Sequence, residues 1–163
     1  MTVKIVDDML RRMATEPEWY EELVLPVLLA EARRTYGVAI RRALVAAGFD
    51  DMPRSGARVV GGIAREGGTP LSEVAVAQAV SKQAASQLVD TLVTRGYVVR
   101  LPDEDDRRRL SLLLTDRGTA AAAEIRNAVD GVDAAFEEAV GRDGVARVRA
   151  ALGALVELQG ADG

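Results

Sequence analysis

The stretch from Pro70 to Asp116 restricts the possible folds of this chain more than any other. PLSEVAVAQAV reads as a short helix, and SKQAASQLVDTLVTRG as a longer one after a turn. YVVRL, PDEDDRRR and LSLLLTD then read as a strand, a charged loop and a second strand. Ser81 has the character of an N-cap, because its hydroxyl can accept from an unpaired amide of the first helical turn. Ala85, Leu88, Val89, Leu92 and Val93 recur at steps of three, one, three and one and form an apolar face. Lys82, Gln83, Ser86 and Gln87 occupy the other side at steps of four and three. Gly96 ends the helix, as a residue tolerant of positive φ does just past a C-terminus. Tyr97–Leu101 and Leu110–Thr115, rich in Val, Leu and Tyr, flank the polar loop as a hairpin.

A polar helix face that is mostly uncharged differs from a merely solvated one, which collects Glu and Lys. Lys82 can neutralise a phosphate, while Gln83 and Gln87 each present a donor and an acceptor together. That pairing matches the N6/N7 edge of adenine in a major groove. The loop from Asp103 to Arg109 sets Arg107, Arg108 and Arg109 behind four acids, on a hairpin beside the helix. Arginines so placed can clamp phosphates or enter a minor groove. Plainer readings stand beside these: an ordinary solvent face for the helix, and a hairpin tip whose charges pair among themselves. Asp106 suits fixing a neighbouring arginine better than touching DNA, since a phosphate repels a carboxylate.

LSEVA, SKQAASQLVDTLVTRGYVVR and DEDDRRRLSLLLTDRG, in that order, resemble the MarR family of bacterial winged helix-turn-helix regulators. The most specific part is Asp106-Arg107-Arg108, followed seven residues later by Thr115 and then by Gly118. The resemblance covers residues 54–118, and the flanking helices agree in length and pattern only. It implies that Lys82, Gln83, Ser86 and Gln87 face bases and backbone, that Arg108 is the wing-tip arginine in the minor groove, and that Asp106 orients it. Ala79 departs from the glycine frequent in such turns, so a looser turn is expected there.

The 163 residues are enough for one domain with a sizeable core. Hydrophobic residues make up 48% and aromatics only 4%, which suits helices packed through small side chains. No run of eighteen apolar residues suggests a membrane span, and the N-terminus lacks a signal-peptide core, so a cytoplasmic protein is expected. The absence of cysteine and histidine excludes disulfides, thiol redox sensing and nucleophile–histidine catalysis. Asp7-Asp8, Asp50-Asp51 and Glu137-Glu138 read as solvated surface or turn residues. No cofactor, metal or enzymatic activity is expected.

The net charge of −4 is unevenly divided. Residues 54–118 hold ten basic and eight acidic residues, a net of +2, and the remainder holds eleven and seventeen, a net of −6. The reading segment is therefore on the positive side.

In chain order, residues 3–14 suggest a short helix with Val6, Met9, Leu10 and Met13 on one side. A long helix is expected from about Glu18 to Ala47, with Leu23, Val27, Tyr36, Ile40 and Leu44 inward. It either starts at Pro26 or kinks there. Arg54–Glu66 reads as a third helix closed by Gly67-Gly68, with Val59, Val60 and Ile63 packed on the reading helix and Arg54 and Arg58 placed to reach phosphates. Leu71, Ser72 and Val76 have the spacing of a hydrophobic staple on a capped start. After the hairpin, Thr115 can cap a helix to Val140 with a stripe of Ile125, Val129, Val132, Phe136 and Val140. Gly141 breaks it, and Val145, Val148, Leu152, Leu155 and Leu158 form another stripe before a fraying end.

The expected fold is mainly α with a small β-hairpin wing: a winged helix-turn-helix with N- and C-terminal dimerisation helices. Residues 1–53 and 117–163 form the dimerisation region and 54–116 the DNA-binding lobe of one chain, 1–163. The expected function is a sequence-specific transcriptional regulator, a repressor acting as a homodimer on inverted-repeat double-stranded DNA and released by a small ligand. The expected DNA-binding residues are Ser81, Lys82, Gln83, Ser86, Gln87, Arg107, Arg108, Arg109, Arg54 and Arg58, with Asp106 orienting the wing. The family resemblance implies an aromatic or phenolic ligand; Trp19, Tyr20, Arg33 and Tyr36 are candidates to meet it, with a helix-core role as their plainer reading. A winged-helix module that binds protein is the alternative.

Overall fold

The structure, a computed structural model, describes residues 20–70, 73–74, 81–102 and 110–158. The expected helix over 3–14, the Leu71/Ser72/Val76 staple, the turn at Ala79, the wing tip at 103–109 and the end at 159–163 lie outside the described residues, as does Trp19. The described elements are α1 (Leu25–Ala46), α2 (Gly56–Glu66), β1 (Thr69–Pro70), α3 (Lys82–Thr94), β2 (Val98–Pro102), β3 (Leu110–Leu114) and α4 (Asp116–Glu157). The chain divides into two compact units, residues 1–37 and 38–163.

In the first unit, residues 20–24 are not helical, and the helix begins one residue before Pro26. The carbonyl of Val24 accepts from the amides of Val27 and Leu28, at 3.0 and 3.3 Å. Pro26 therefore sits in the first turn, where its missing N–H leaves no bond unmade. The choice between a start and a kink at Pro26 is resolved as a start. Leu23 and Val27, expected inward, are exposed within this chain.

The second unit is built around α3. Its Ala85, Val89 and Leu92 are buried with Val59, Val60 and Ile63 of α2, Tyr97 and Val98, Leu112 of β3 and Ala121, Ala122 and Ile125 of α4. Burying each large aliphatic side chain contributes about 1.5–3 kcal/mol, so this shared core anchors the apolar face of α3. The helix ends as its sequence dictates. Gly96 takes φ 72°, its amide donates to the Val93 carbonyl at 2.9 Å, and the Tyr97 amide reaches the Leu92 carbonyl at 2.9 Å. This double closure needs a left-handed residue at that position. The same pair of bonds closes α1, from Gly48 to Val45 and from Phe49 to Leu44. Arg41 then donates to the carbonyls of Asp50 and Met52, at 2.8 and 3.1 Å, and so fixes the connector to α2.

The hairpin is present, with Val98 paired to Leu114 and Pro102 to Leu110 in antiparallel register. It belongs to a three-stranded sheet, because Thr69 and Pro70 pair with Leu112 and Ser111 and place β3 in the middle. Two residues ending in proline carry no hydrophobic alternation, so β1 was invisible to periodicity. The third helix starts at Gly56, two residues later than expected. Thr115 caps α4 as expected, its hydroxyl accepting from the Gly118 amide at 3.0 Å. Gly141, at φ 72° and ψ 166°, interrupts α4. Beyond it Val148, Leu152, Leu155 and Leu158 are exposed.

Candidate nucleic-acid interface

The buried side of α3 determines what its other side presents. Ser81, at φ −63° and ψ 153°, accepts from the Ala84 amide at 3.2 Å and caps the helix. Lys82, Gln83 and Gln87 follow on the solvent side, and Ser86, on the flank, is half-buried. The first turn carries no acidic side chain, so the positive end of the helix dipole is uncompensated and favours an anion. Arg54, just before α2, and Arg58, in its first turn, are exposed. Among the described residues, neither these two nor Lys82 makes an ion pair.

The other described arginines of the lobe are engaged internally. Arg65 pairs with Glu66 at 2.7 Å, and Glu66 also accepts from the Thr69 hydroxyl at 3.0 Å. These two donors hold the Glu66 carboxyl below its usual range. Arg100, on the inner face of β2, pairs with Asp90 of α3 at 2.6 Å and ties the hairpin to that helix. Asp106, Arg107, Arg108 and Arg109 lie outside the described residues. Tyr20 and Arg33 are exposed and Tyr36 is half-buried in the first unit.

One constellation escaped the sequence reading. Asp51, expected as a solvated turn residue, accepts from the Tyr97 hydroxyl, and its carboxylate lies 2.9 Å from the Arg117 guanidinium. Arg95 donates to the Asp51 carbonyl, and Arg117 donates to the Arg95 carbonyl at 2.6 Å. The Arg117 guanidinium also stands 4.5 Å from the Tyr97 ring centroid. The Tyr97 hydrogen bond, with the charges of Arg117 and Arg95 behind it, lowers the Asp51 carboxyl. Burial first, and the bond to Asp51 second, push the Tyr97 hydroxyl up to about 12. Asp51 is 46 residues from Tyr97 and 66 from Arg117, beyond the reach of local periodicity. The one available signal was Tyr97 itself, since a tyrosine entering a core needs a partner for its hydroxyl.

A capped helix with a polar face, supported by α2 and followed by an antiparallel wing, defines a winged helix-turn-helix protein. Residues 50–109 match the model of the MarR family. The fold is similar to the crystal structure of reduced MarR from E. coli, at TM-score 0.65 and 21% identity over 82% of this chain and 96% of that one. It is similar to NadR in complex with 4-hydroxyphenylacetate, at TM-score 0.66 and 25% identity over 82% and 93%. A cysteine-to-serine mutant of MarR from E. coli complexed with operator DNA gives TM-score 0.66 and 20% identity over 84% and 96%. No curated protein sequence matches.

Among the described residues no helix is long and apolar enough to cross a membrane. No group of three or more metal-binding side chains occurs among them either.

Proposed function

We propose that this protein is a sequence-specific DNA-binding repressor that acts in the cytoplasm as a homodimer on an inverted repeat. The observation that carries the reading is α3, whose Lys82, Gln83 and Gln87 stand exposed on the side opposite its buried face. Gln87 and Gln83 read base edges, with Ser86 on the flank; Ser81, Lys82, Arg54 and Arg58 contact phosphate. Arg107, Arg108 and Arg109 serve the wing, with Arg108 in the minor groove and Asp106 orienting it. The operator-bound MarR mutant supports DNA as the partner. The exposed stripe of Val148, Leu152 and Leu155 supports self-association through the terminal helices, residues 1–53 and 117–163, with residues 54–116 as the DNA-binding lobe. NadR binds 4-hydroxyphenylacetate, and a small aromatic or phenolic acid is the class of ligand proposed to release this protein from DNA.

The test is a gel shift on the chain's own upstream region at two salt concentrations, with random duplex as the reference. Wild-type binding is expected to weaken steeply with salt as counterions are released. Gln87→Ala should cost about 1–3 kcal/mol on the cognate site and much less on random DNA. Lys82→Ala should weaken both and flatten the salt dependence, whereas Arg108→Ala should matter most where the flanks are A·T-rich. No shift at low salt refutes DNA binding and favours a protein-binding winged helix.

A further inference from the structure

We infer that Arg117 is a positioning residue that fixes the angle of the reading helix on α4, and so sets the half-site spacing the dimer accepts. The inference rests on the proposed reading of DNA by α3.

The end of α3 and the start of α4 meet at one joint. There the Thr115 hydroxyl donates to the Gly96 carbonyl at 2.5 Å, and the Thr115 amide reaches the Tyr97 carbonyl at 3.2 Å. Gly118 lies so close that an added Cβ would stand 1.9 Å from the Tyr97 carbonyl oxygen. These contacts gather within Gly96–Tyr97 on one side of the joint and Thr115–Gly118 on the other, and contacts so localised resist translation far better than rotation.

Arg117 supplies the missing lever arms. Its guanidinium reaches the Arg95 carbonyl at 2.6 Å and the Asp51 carboxylate at 2.9 Å and covers the Tyr97 ring. Asp51 is held in turn by Arg95 and Tyr97. One side chain thus joins the end of α3, the entry to β2, the first turn of α4 and the connector before α2.

The geometry makes rotation at this joint consequential. The 13 residues of α3 place Lys82 about 20 Å from the joint, at about 1.5 Å per residue. A swing of about 10° there moves the reading end by about 3.5 Å on that lever, close to the rise of one base pair. In a two-fold dimer joined through α4, play of that size is the difference between one permitted half-site spacing and several.

The experiment selects binding sites from a random-sequence duplex pool, using the full chain as wild type, Arg117→Ala and Asp51→Asn. The Arg117 side chain is 40% exposed and Asp51→Asn keeps an acceptor for Tyr97, so both variants should fold, as thermal melting will verify. Wild type is expected to select an inverted repeat of one spacing and to lose about tenfold or more in affinity when one base pair is inserted between the half-sites. Both variants should keep the same half-site bases yet discriminate that insertion by no more than about threefold. Variants that keep the wild-type spacing ratio, even with weaker binding, overturn the role of Arg117. Wild type that selects isolated half-sites overturns it as well, by removing the dimer. A wild type that selects no sequence instead refutes the DNA reading on which the inference rests.

Discussion

Replacing Gly118 with alanine should cost this protein stability even though alanine is the better helix former. Gly118 is the third residue of α4, and its amide donates the cap bond to the Thr115 hydroxyl. A Cβ there would lie 1.9 Å from the Tyr97 carbonyl oxygen, 3.0 Å from the Tyr97 carbonyl carbon and 3.3 Å from Leu114 Cδ2. The first two are backbone atoms, so no rotamer change relieves the overlap, and the strand entry and helix must part by about 1.5 Å to restore ordinary contact. Forcing extra volume into a packed site costs about 3 kcal/mol or more when backbone has to move. The gain in helix propensity returns about 1 kcal/mol, less at a first-turn position. The net loss, about 2 kcal/mol or more, corresponds to a fall in Tm of about 4–8 °C for a chain of this length. Gly62→Ala is the control: it sits inside α2 with nothing within 4 Å of its added Cβ, and should gain about 0.5–1 kcal/mol. Urea unfolding of both variants beside wild type measures the two signs. A Gly118→Ala protein as stable as wild type would refute the close approach of α4 to β2.

Tyr97 should make stability fall at high pH. Its folded pKa is raised, so the stability it contributes is complete below pH 10 and is lost as pH rises towards about 12, a decline of roughly 2–3 kcal/mol that urea unfolding should find missing in Tyr97→Phe. Leu152→Glu, on the exposed C-terminal stripe, should convert a dimer near twice 17.4 kDa into a monomer by light scattering while leaving the melting of the reading lobe in place; a wild-type monomer at micromolar concentration would refute the proposed assembly.

What the sequence disclosed, and what it hid, divides by the range of the forces involved. The cap at Ser81, the closure at Gly96 and the buried triplet of Ala85, Val89 and Leu92 depend on neighbours within one helix, and each was legible. Thr115 was legible for the same reason. The strand at Thr69–Pro70 was not, because two residues cannot display alternation and its partner lies some forty residues on. Asp51 was misread because an Asp-Asp pair in a connector looks solvated until Tyr97 and Arg117 are brought beside it. The exposure of Leu23 and Val27 has a different origin: a helical stripe shows that a face is apolar, without showing which surface covers it.

The division of the lobe's charges bears on the proposed DNA-binding role, since the chain as a whole is acidic. Within residues 54–118 Arg65 and Arg100 are paired with Glu66 and Asp90 of the same segment, and Arg117 is paired with Asp51 outside it, so these three arginines are not available to a ligand as free charges. Arg95 is directed at a carbonyl, which leaves Arg54, Arg58 and Lys82 as described cations without an ion pair. The Asp90–Arg100 pair has a second effect. Asp90 is the one acid on α3, three residues past Gln87, and a bare carboxylate there would repel a phosphate brought to Lys82 in the proposed complex. Arg100, at 2.6 Å, offsets that charge from the wing side without adding to the attraction. Three such cations per protomer, six in a two-fold dimer, give a salt exponent of about −5 before the wing contributes. Each wing arginine that reaches a phosphate would steepen it by about one unit per protomer. On the proposed reading, so few point charges would keep non-specific affinity low, and discrimination would depend on the match between Gln83, Gln87 and the base edges and on the angle at which α3 is held.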